Sequence, residues 1–260
     1  MKAKKSLGQN FLTDESVVDR IIEAGEVSLG DNVLEIGPGQ GFLTKELVKK
    51  AGKVLVIEKD EELAEFCRKN IVGDNLEVLE GDVLDVNWKQ ILAERELLDF
   101  KLIANIPYYI TGKILRLFLE NEFQPKILVL MVQKEVAERI CAKPGKLGIL
   151  SLSVQYFGKP EIVEIVPREK FDPAPDVDSA VLKIVVENKS RLEPGEEKKF
   201  FRLIKVGFSS PRKTLVNNLS AGLQKSKEET EEVLEKIGFN GNTRAQELGV
   251  EDWKGLIKFL

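Results

Sequence analysis

The sequence predicts an α/β fold, with a mostly parallel sheet followed by a small C-terminal all-helical domain. Up to residue 132, short apolar runs alternate with stretches of helical periodicity. This pattern is typical of a parallel sheet with both faces covered. Three later strand-like segments have little room for helices between them, and beyond 195 every apolar pattern has helical spacing.

Five short apolar runs form the predicted parallel part of the sheet. These runs lie at 32–36, 53–57, 76–79, 101–104 and 126–132. Apolar residues three and four apart predict the intervening helices. These helices centre on 17–22, 43–51, 63–67 and 114–119. Asp14 or Thr13 is a suitable N-cap for the first helix.

The segments 150–157, 161–166 and 180–186 are predicted as strands of an antiparallel addition to the sheet. A polar stretch with a Pro-Gly turn follows, and we place a domain boundary there. The predicted domains are therefore 1–188 and 189–260.

The composition excludes several classes of protein. The chain has 260 residues, 43% apolar and 32% charged, and no stretch long and apolar enough for a membrane span. No apolar signal core follows the N-terminus, so we expect a cytoplasmic protein with no membrane contact. The absence of histidine, with only two cysteines, excludes Ser-His or Cys-His catalysis and a zinc cage. No metal site is expected.

The charge distribution leaves room for a nucleic-acid partner. The net charge of −4 argues against a protein that wraps nucleic acid indiscriminately. The stretch from 189 to 213, however, holds eight basic and three acidic residues. A local basic surface is therefore compatible with the acidic total.

A glycine-rich loop, Gly37-Pro-Gly39-Gln-Gly41, lies between the first strand and a helix. Glycines allow a sharp turn and let a ligand lie against bare backbone. A dinucleotide fingerprint needs a small residue where Phe42 stands, and the sequence contains no P-loop motif. The loop therefore favours a nucleoside ligand other than NAD or a nucleoside triphosphate.

Two carboxylates follow the next two predicted strands. Glu58 can accept hydrogen bonds from both ribose hydroxyls, and Asp82 can accept one from the exocyclic amine of adenine. The carboxyl ends of parallel strands meet at one crevice, where such sheets bind ligands. An adenosine without phosphates fits this set, which indicates S-adenosylmethionine.

The tetrapeptide Asn105-Ile106-Pro107-Tyr108 follows the fourth strand at the same edge. The Asn105 oxygen and the Ile106 carbonyl can accept the N–H bonds of an adenine amine, exposing its lone pair to a methyl donor. Pro107 fixes the backbone and Tyr108 can stack on the base. Phe171, on a proline-rich loop, is predicted as the opposite wall. A base reached this way must be single-stranded or flipped out.

Together these segments resemble the KsgA (RsmA) family of rRNA adenine N6,N6-dimethyltransferases. The matching segments are 9–12, 35–41, 105–108, 133–139, 171–179, 212–215, 217–219 and 244–248. The resemblance covers nearly the whole chain. It implies a Rossmann-like class I S-adenosylmethionine-dependent methyltransferase fold with a mostly parallel seven-stranded sheet. It also implies a catalytic, cofactor-binding domain at 1–188 and a helical RNA- and ribosome-recognition domain at 189–260.

The resemblance also implies an activity: S-adenosylmethionine methylates two adjacent adenosines in the 3′-terminal hairpin loop of small-subunit (16S) rRNA. The partner would be this rRNA in a pre-assembled small subunit, and the enzyme would be a monomer. The implied cofactor-binding residues are Gln9, Asn10, Leu12, Gly37, Gly39, Gly41, Glu58, Lys59, Asp82, Val83 and Asn105. The residues expected to bind RNA are Lys143, Lys205, Arg212 and Lys213.

Two departures from the family pattern lie at positions that are candidate RNA contacts. Pro211 stands where the family usually has an arginine, and 143–148 is shorter than usual and lacks an aromatic residue. The alternatives are an Erm-type large-subunit rRNA methyltransferase, which shares the Asn105 motif, and an assembly factor that acts mainly by binding. The segments 212–219 and 244–248 favour the small-subunit family.

Overall fold

The computed structural model describes residue 4 and residues 7–97, 99–187 and 192–259. The strands are β1 (Phe11–Leu12), β2 (Asn32–Ile36), β3 (Lys53–Glu58), β4 (Leu76–Glu80), β5 (Lys101–Asn105), β6 (Ile127–Gln133), β7 (Gly158–Val166), β8 (Phe171–Asp172) and β9 (Ser179–Val186). The helices are α1 (Glu15–Ala24), α2 (Phe42–Lys50), α3 (Glu61–Asn70), α4 (Trp88–Glu94), α5 (Thr111–Leu119), α6 (Lys134–Ile140), α7 (Ile149–Phe157), α8 (Pro194–Gly207), α9 (Leu215–Leu223), α10 (Lys227–Lys236) and α11 (Val250–Ile257).

The main sheet has seven strands in the order β4-β3-β2-β5-β6-β9-β7. The pairs from β4 to β6 are parallel, and β9 lies antiparallel to β6. The core strands are apolar because both faces of the sheet are covered: residues 54–57 of β3 and 128–132 of β6 are all buried. The predicted fold class is confirmed, including the mostly parallel seven-stranded sheet.

One predicted strand was wrong. The segment predicted as a strand at 150–157 is helix α7, so the main sheet has one strand fewer than the sequence pattern indicated. A short apolar run does not by itself distinguish a strand from a buried helix. Here Ser151 selects the helix: its Oγ accepts from the Gly148 N–H at 2.7 Å and donates to the Gly148 carbonyl at 2.9 Å.

Two short helices, α4 and α6, were not predicted. Helix α4 is seven residues long and begins at an Asn87 cap, whose Oδ1 accepts from the Gln90 N–H at 3.2 Å. Its Trp88 ring packs edge-on against Phe118 of α5, with ring centroids 5.3 Å apart. Helices this short depend on tertiary packing, which periodicity in the sequence does not report.

The chain divides into two compact units. Unit 1 comprises 1–137 and 159–186, and unit 2 comprises 138–158 and 187–260. This division differs from the predicted domains because α7 belongs to unit 2, where its Tyr156 ring lies 4.7 Å from that of Phe200 in α8. The boundary predicted after 188 falls at 188–191, outside the described residues, and stays a prediction.

Each unit has its own core. In unit 1, helix α1 begins at Asp14, whose side chain accepts from the Ser16 N–H, and buries its apolar face. In unit 2, Trp253 of α11 is fully buried, and the backbone of Gly207 approaches its ring so closely that a Cβ would lie 2.3 Å from it. No helix within the described ranges has the length and apolarity needed to cross a bilayer.

Candidate active site

A crevice of about 260 Å³ opens in unit 1, where the carboxyl ends of β2, β3, β4 and β5 meet. Most of the predicted cofactor and catalytic residues line it. These are Gln9, Asn10, Leu12, Gly37, Gly39, Glu58, Lys59, Asp82, Val83, Asn105, Ile106, Pro107 and Tyr108. The structure thus brings together side chains from four strand ends and the N-terminal segment.

The glycine loop follows β2, and its three glycines have different roles. Gly37, Gly39 and Gly41 all have positive φ, at 67°, 55° and 75°, a conformation that disfavours other residues. Gly37 and Gly39 line the crevice, whereas Gly41 does not. A Cβ on Gly41 would lie 2.3 Å from Ile71 Cδ1. Gly41 thus lets the start of α2 pack closely against Ile71, the residue that follows α3.

Glu58 ends β3 at the floor of the crevice and is 7% exposed. Its Oε1 accepts a hydrogen bond from the backbone N–H of Asp60 at 2.8 Å, which fixes the carboxyl group. Burial raises the pKa of Glu58 above its ordinary value. The Glu58 carboxyl group is therefore fixed in position, and its oxygens can still accept the hydrogen bonds of two ribose hydroxyls.

Asp82 follows β4 and forms an ion pair with Lys59 at 2.7 Å. Its other oxygen accepts from the Leu84 N–H at 2.9 Å. The hydrogen bond from Lys59 and that from the Leu84 backbone hold the pKa of Asp82 below its ordinary value. The carboxylate is therefore an ionised acceptor at neutral pH, with lone pairs left for an amine.

Asn105 ends β5, and its side chain reaches the N-terminal segment: Nδ2 donates to the Asn10 carbonyl at 3.3 Å. Within the described residues, nothing donates to Oδ1. The segment itself is held by the pairing of β1 with β8 and by a 2.9 Å hydrogen bond from Thr13 N–H to the Lys170 carbonyl. The contact with Asn10 orients the Asn105 amide and leaves its oxygen as a free acceptor.

Tyr108 is oriented by Ser179, the first residue of β9. The two hydroxyl oxygens lie 2.5 Å apart, and Ser179 is fully buried. Burial raises the pKa of the Tyr108 phenol above its ordinary value, so the ring stays neutral. Ser179 ends the matching segment 171–179, but the sequence alone does not predict its contact with Tyr108.

Phe171 was predicted as the wall of the base pocket opposite Tyr108, but it is not exposed at the crevice. It is 4% exposed, packs in the hydrophobic core and does not line the crevice. Its backbone pairs with Leu12, which does line the crevice, so Phe171 lies behind the N-terminal segment. A role in gripping the target base stays a prediction.

Glu35, in β2, is a site residue that sequence reasoning missed. It lines the crevice and is 1% exposed, and its Oε2 has no hydrogen-bond partner in the described structure. Burial raises its pKa to about 8. A lone ionisable residue inside an otherwise apolar strand, just before the glycine loop, was the available signal.

The four predicted RNA-binding residues, Lys143, Lys205, Arg212 and Lys213, all belong to unit 2 and are exposed. Among the described residues, none of them forms an ion pair with a carboxylate. Two backbone donors, Gly145 and Leu147, hold the loop after Lys143 on the Gln246 carbonyl at 2.8 and 3.3 Å. These cations are thus available to phosphate groups, which are their usual nucleic-acid partners.

The Arg212–Lys213 turn is closed by a buried amide. Asn218 in α9 is 3% exposed, and its Nδ2 donates to the carbonyls of Gly207 and Ser210 at 2.6 and 3.1 Å. Asn218 thus fixes the start of the turn that presents the two cations.

Comparison with known proteins identifies relatives over the full length. The family model described as ribosomal RNA adenine dimethylase matches residues 1–260. Ribosomal RNA small subunit methyltransferase A of Dehalococcoides mccartyi strain BAV1 is 42% identical over 257 residues, 98% of this chain and 88% of that protein. The protein of the same name from Moorella thermoacetica is 42% identical over 267 residues, covering 99% and 92%.

Two solved structures match the whole fold. A dimethyladenosine transferase from Plasmodium falciparum gives a TM-score of 0.80 at 28% identity, covering 95% of both chains. The 23S rRNA methyltransferase ErmE gives the same score and identity, covering 96% of this chain and 99% of its own. Shape alone therefore does not separate the two kinds of enzyme, whereas the sequence matches do identify the family. The chain belongs to the ribosomal RNA adenine dimethylase family.

Proposed function

We propose that the protein is an S-adenosylmethionine-dependent rRNA adenine N6,N6-dimethyltransferase that acts on the small ribosomal subunit. The observation that carries this proposal is the oriented Asn105 amide at the crevice: its Nδ2 donates to the Asn10 carbonyl, and no described residue donates to its Oδ1. A free acceptor beside a nucleoside-sized crevice suits an amine substrate. Relatives with about 42% identity carry the small-subunit name.

The crevice suits S-adenosylmethionine by the hydrogen-bond acceptors that line it and by its shape. Glu58 would hold the ribose, Asp82 the adenine amine, and the backbone at Gly37 and Gly39 the rest of the cofactor. In the described structure the buried Oε2 of Glu35 has no hydrogen-bond partner, and a polar group of a ligand can supply one. The cofactor supplies an electrophilic methyl group when bound.

The protein's own contribution to the reaction is positioning. Asn105 Oδ1 and the Ile106 carbonyl accept hydrogen bonds from the target amine, which has two N–H groups in the first transfer and one in the second, and draw its lone pair out of conjugation; the proton of the alkylated nitrogen passes to solvent. Tyr108, fixed by Ser179, holds the base flat, and the N-terminal segment excludes water. The amine becomes acidic on alkylation, so no strong base is needed, which agrees with a chain without histidine.

The finer features of the proposal follow the family resemblance. The substrate is a pair of adjacent adenosines in the 3′-terminal hairpin loop, presented by a pre-assembled small subunit. The protein acts as a monomer in the cytoplasm, with catalysis in 1–188 and RNA recognition in 189–260. The Erm-type alternative keeps the same chemistry and changes only the RNA.

The proposal is tested by methylating undermethylated small subunits and large-subunit rRNA side by side with a labelled methyl donor. We expect label only in the small-subunit RNA, at two adjacent adenosines. Asn105→Ala should lower the rate by about a hundredfold or more, because a positioned transition-state acceptor is lost. Small-subunit binding should change little, since phosphate contacts lie elsewhere.

Asn121→Ala is the matched control: Asn121 is exposed, follows the end of α5, and among the described residues its side chain bonds only to the Leu117 carbonyl of that helix. It should methylate at the wild-type rate. Label confined to large-subunit RNA would replace this proposal with the Erm-type alternative, and an unchanged rate in the Asn105 variant would remove its assigned role.

A second prediction concerns the hydroxyl pair of Tyr108 and Ser179. Either Ser179→Ala or Tyr108→Phe should lower kcat roughly tenfold, the equivalent of one buried hydrogen bond. The double variant should cost no more than either single one, because both changes remove the same bond. Single-turnover rates report the positioning of the base, and calorimetry reports cofactor binding. If the losses of kcat in the two single variants add up in the double variant, the assigned hydrogen bond is contradicted.

A third prediction follows from Glu35. Its pKa of about 8 lies above the ordinary 4.5, so the folded protein keeps a proton that the unfolded chain releases. This group's contribution to stability therefore falls as pH rises from about 4.5 towards 8. We expect the urea midpoint of Glu35→Gln to rise relative to wild type over this range. If the difference between the urea midpoints of the variant and the wild type stays constant from pH 5 to 8, the pKa of Glu35 is not raised.

A fourth prediction concerns the basic residues of unit 2. Arg212→Ala and Lys213→Ala should each weaken small-subunit binding. Each should also reduce the slope of the logarithm of the binding constant against the logarithm of the salt concentration by roughly one, if each side chain neutralises one phosphate. Lys69→Ala is the control, because Lys69 already pairs with Glu65 in α3 at 2.6 Å. An unchanged slope in the first two variants would exclude them from the RNA interface.

A further inference from the structure

Tyr109 is an exposed aromatic residue at the rim of the crevice. It is 63% exposed, although its ring lines the same cavity as Asn105 and Asp82. The described residues provide its ring with no aromatic partner and its hydroxyl with no hydrogen bond. Gly8 lies against the ring, since a Cβ on Gly8 would be 3.4 Å from it.

The two adjacent tyrosines have different surroundings. The Tyr108 hydroxyl bonds to Ser179 in β9, on one side of β5 in the strand order. Tyr109 lies against Gly8 and lines the crevice together with Lys59, which follows β3, and Asp82, which follows β4, both on the other side of β5. The Tyr109 phenol also contributes, less than the hydrogen bond to Asp82, to the raised pKa of Lys59.

We propose that Tyr109 forms the outer wall of the adenine subsite and stacks on the adenine of the bound cofactor. This inference rests on the proposed function, because it takes the crevice to hold an adenosine whose amine meets Asp82. Val83, buried and in the same crevice, supplies the inner apolar wall. The adenine then lies between an aliphatic and an aromatic side chain.

The exposure of Tyr109 suits this role. Tyr109 is largely exposed, so a flat base can cover apolar surface that the protein itself leaves uncovered. Stacking of a base on an aromatic side chain contributes roughly 1–3 kcal/mol. No described residue bonds to the Tyr109 hydroxyl, so phenylalanine should serve as well as tyrosine.

The test measures binding of two ligands by calorimetry on the purified protein, without RNA. The ligands are S-adenosylhomocysteine and 5′-methylthioadenosine, which shares the adenosine but lacks the amino acid. Tyr109→Ala should raise both Kd values by the same factor, about tenfold or more, as stacking of this strength requires. Tyr109→Phe should restore wild-type affinity for both. Thermal unfolding of each variant confirms that it is folded.

Phe259→Ala is the matched control, an exposed aromatic residue of unit 2 that should leave both affinities unchanged. Unchanged affinities in Tyr109→Ala, with only a raised KM for small subunits, would overturn the inference and place the ring against RNA. A loss confined to S-adenosylhomocysteine would also overturn it, because it would place the ring at the amino-acid end. A wild-type protein that shows the predicted affinities but methylates no rRNA would overturn the proposed function and leave this inference standing.

Discussion

The parallel register of four neighbouring strands is the constraint on which the site depends. Glu35 of β2 pairs with Val56 of β3 and Ile103 of β5, and this register brings the four strand ends to one edge. Under the proposed function each strand end contributes one kind of group: the glycine turn after β2, Glu58 for the ribose, Asp82 for the adenine amine and the oriented amide of Asn105. A slip of one residue would turn each side chain to the other face of the sheet and remove these groups from the shared edge, so the register protects the site as well as the fold.

Hydrogen bonds between residues far apart in the sequence orient the side chains that the strand ends place in the site. The amide of Asn105 is oriented by a carbonyl 95 residues earlier in the chain, and the Tyr108 hydroxyl by a serine 71 residues later. Both partners come from segments outside the four parallel strands: the N-terminal segment and the start of β9. Residues 105–108 are therefore held from two sides by parts of unit 1. One of these, β9, pairs with β6 in the main sheet, so the geometry of the site depends on the same core that stabilises the fold.

Much of this arrangement could be predicted from the sequence, because strand ends, glycine turns and carboxylates at fixed places in the pattern are local signals. The crevice residues Glu58, Asp82 and Asn105 lie where that pattern predicts. The roles of Ser179 and Gly41 could not be predicted, since they depend on contacts with Tyr108 and Ile71 that only the tertiary fold creates. The same limit explains helix α7, whose apolar run fits either a strand or a helix until it packs on α8.

The choice of RNA must come from outside the crevice. The fold matches a dimethyladenosine transferase and a 23S rRNA methyltransferase equally well, and the Asn105 motif would serve either substrate. Unit 2 of this chain carries exposed cations that no described carboxylate neutralises, on turns fixed by Asn218 and the Gln246 carbonyl. Under the proposed function these cations contact phosphates, which set the register of the RNA rather than read its sequence. On that proposal, changing these turns would direct the same methyl-transfer chemistry to a different RNA, while the strand ends stay as they are.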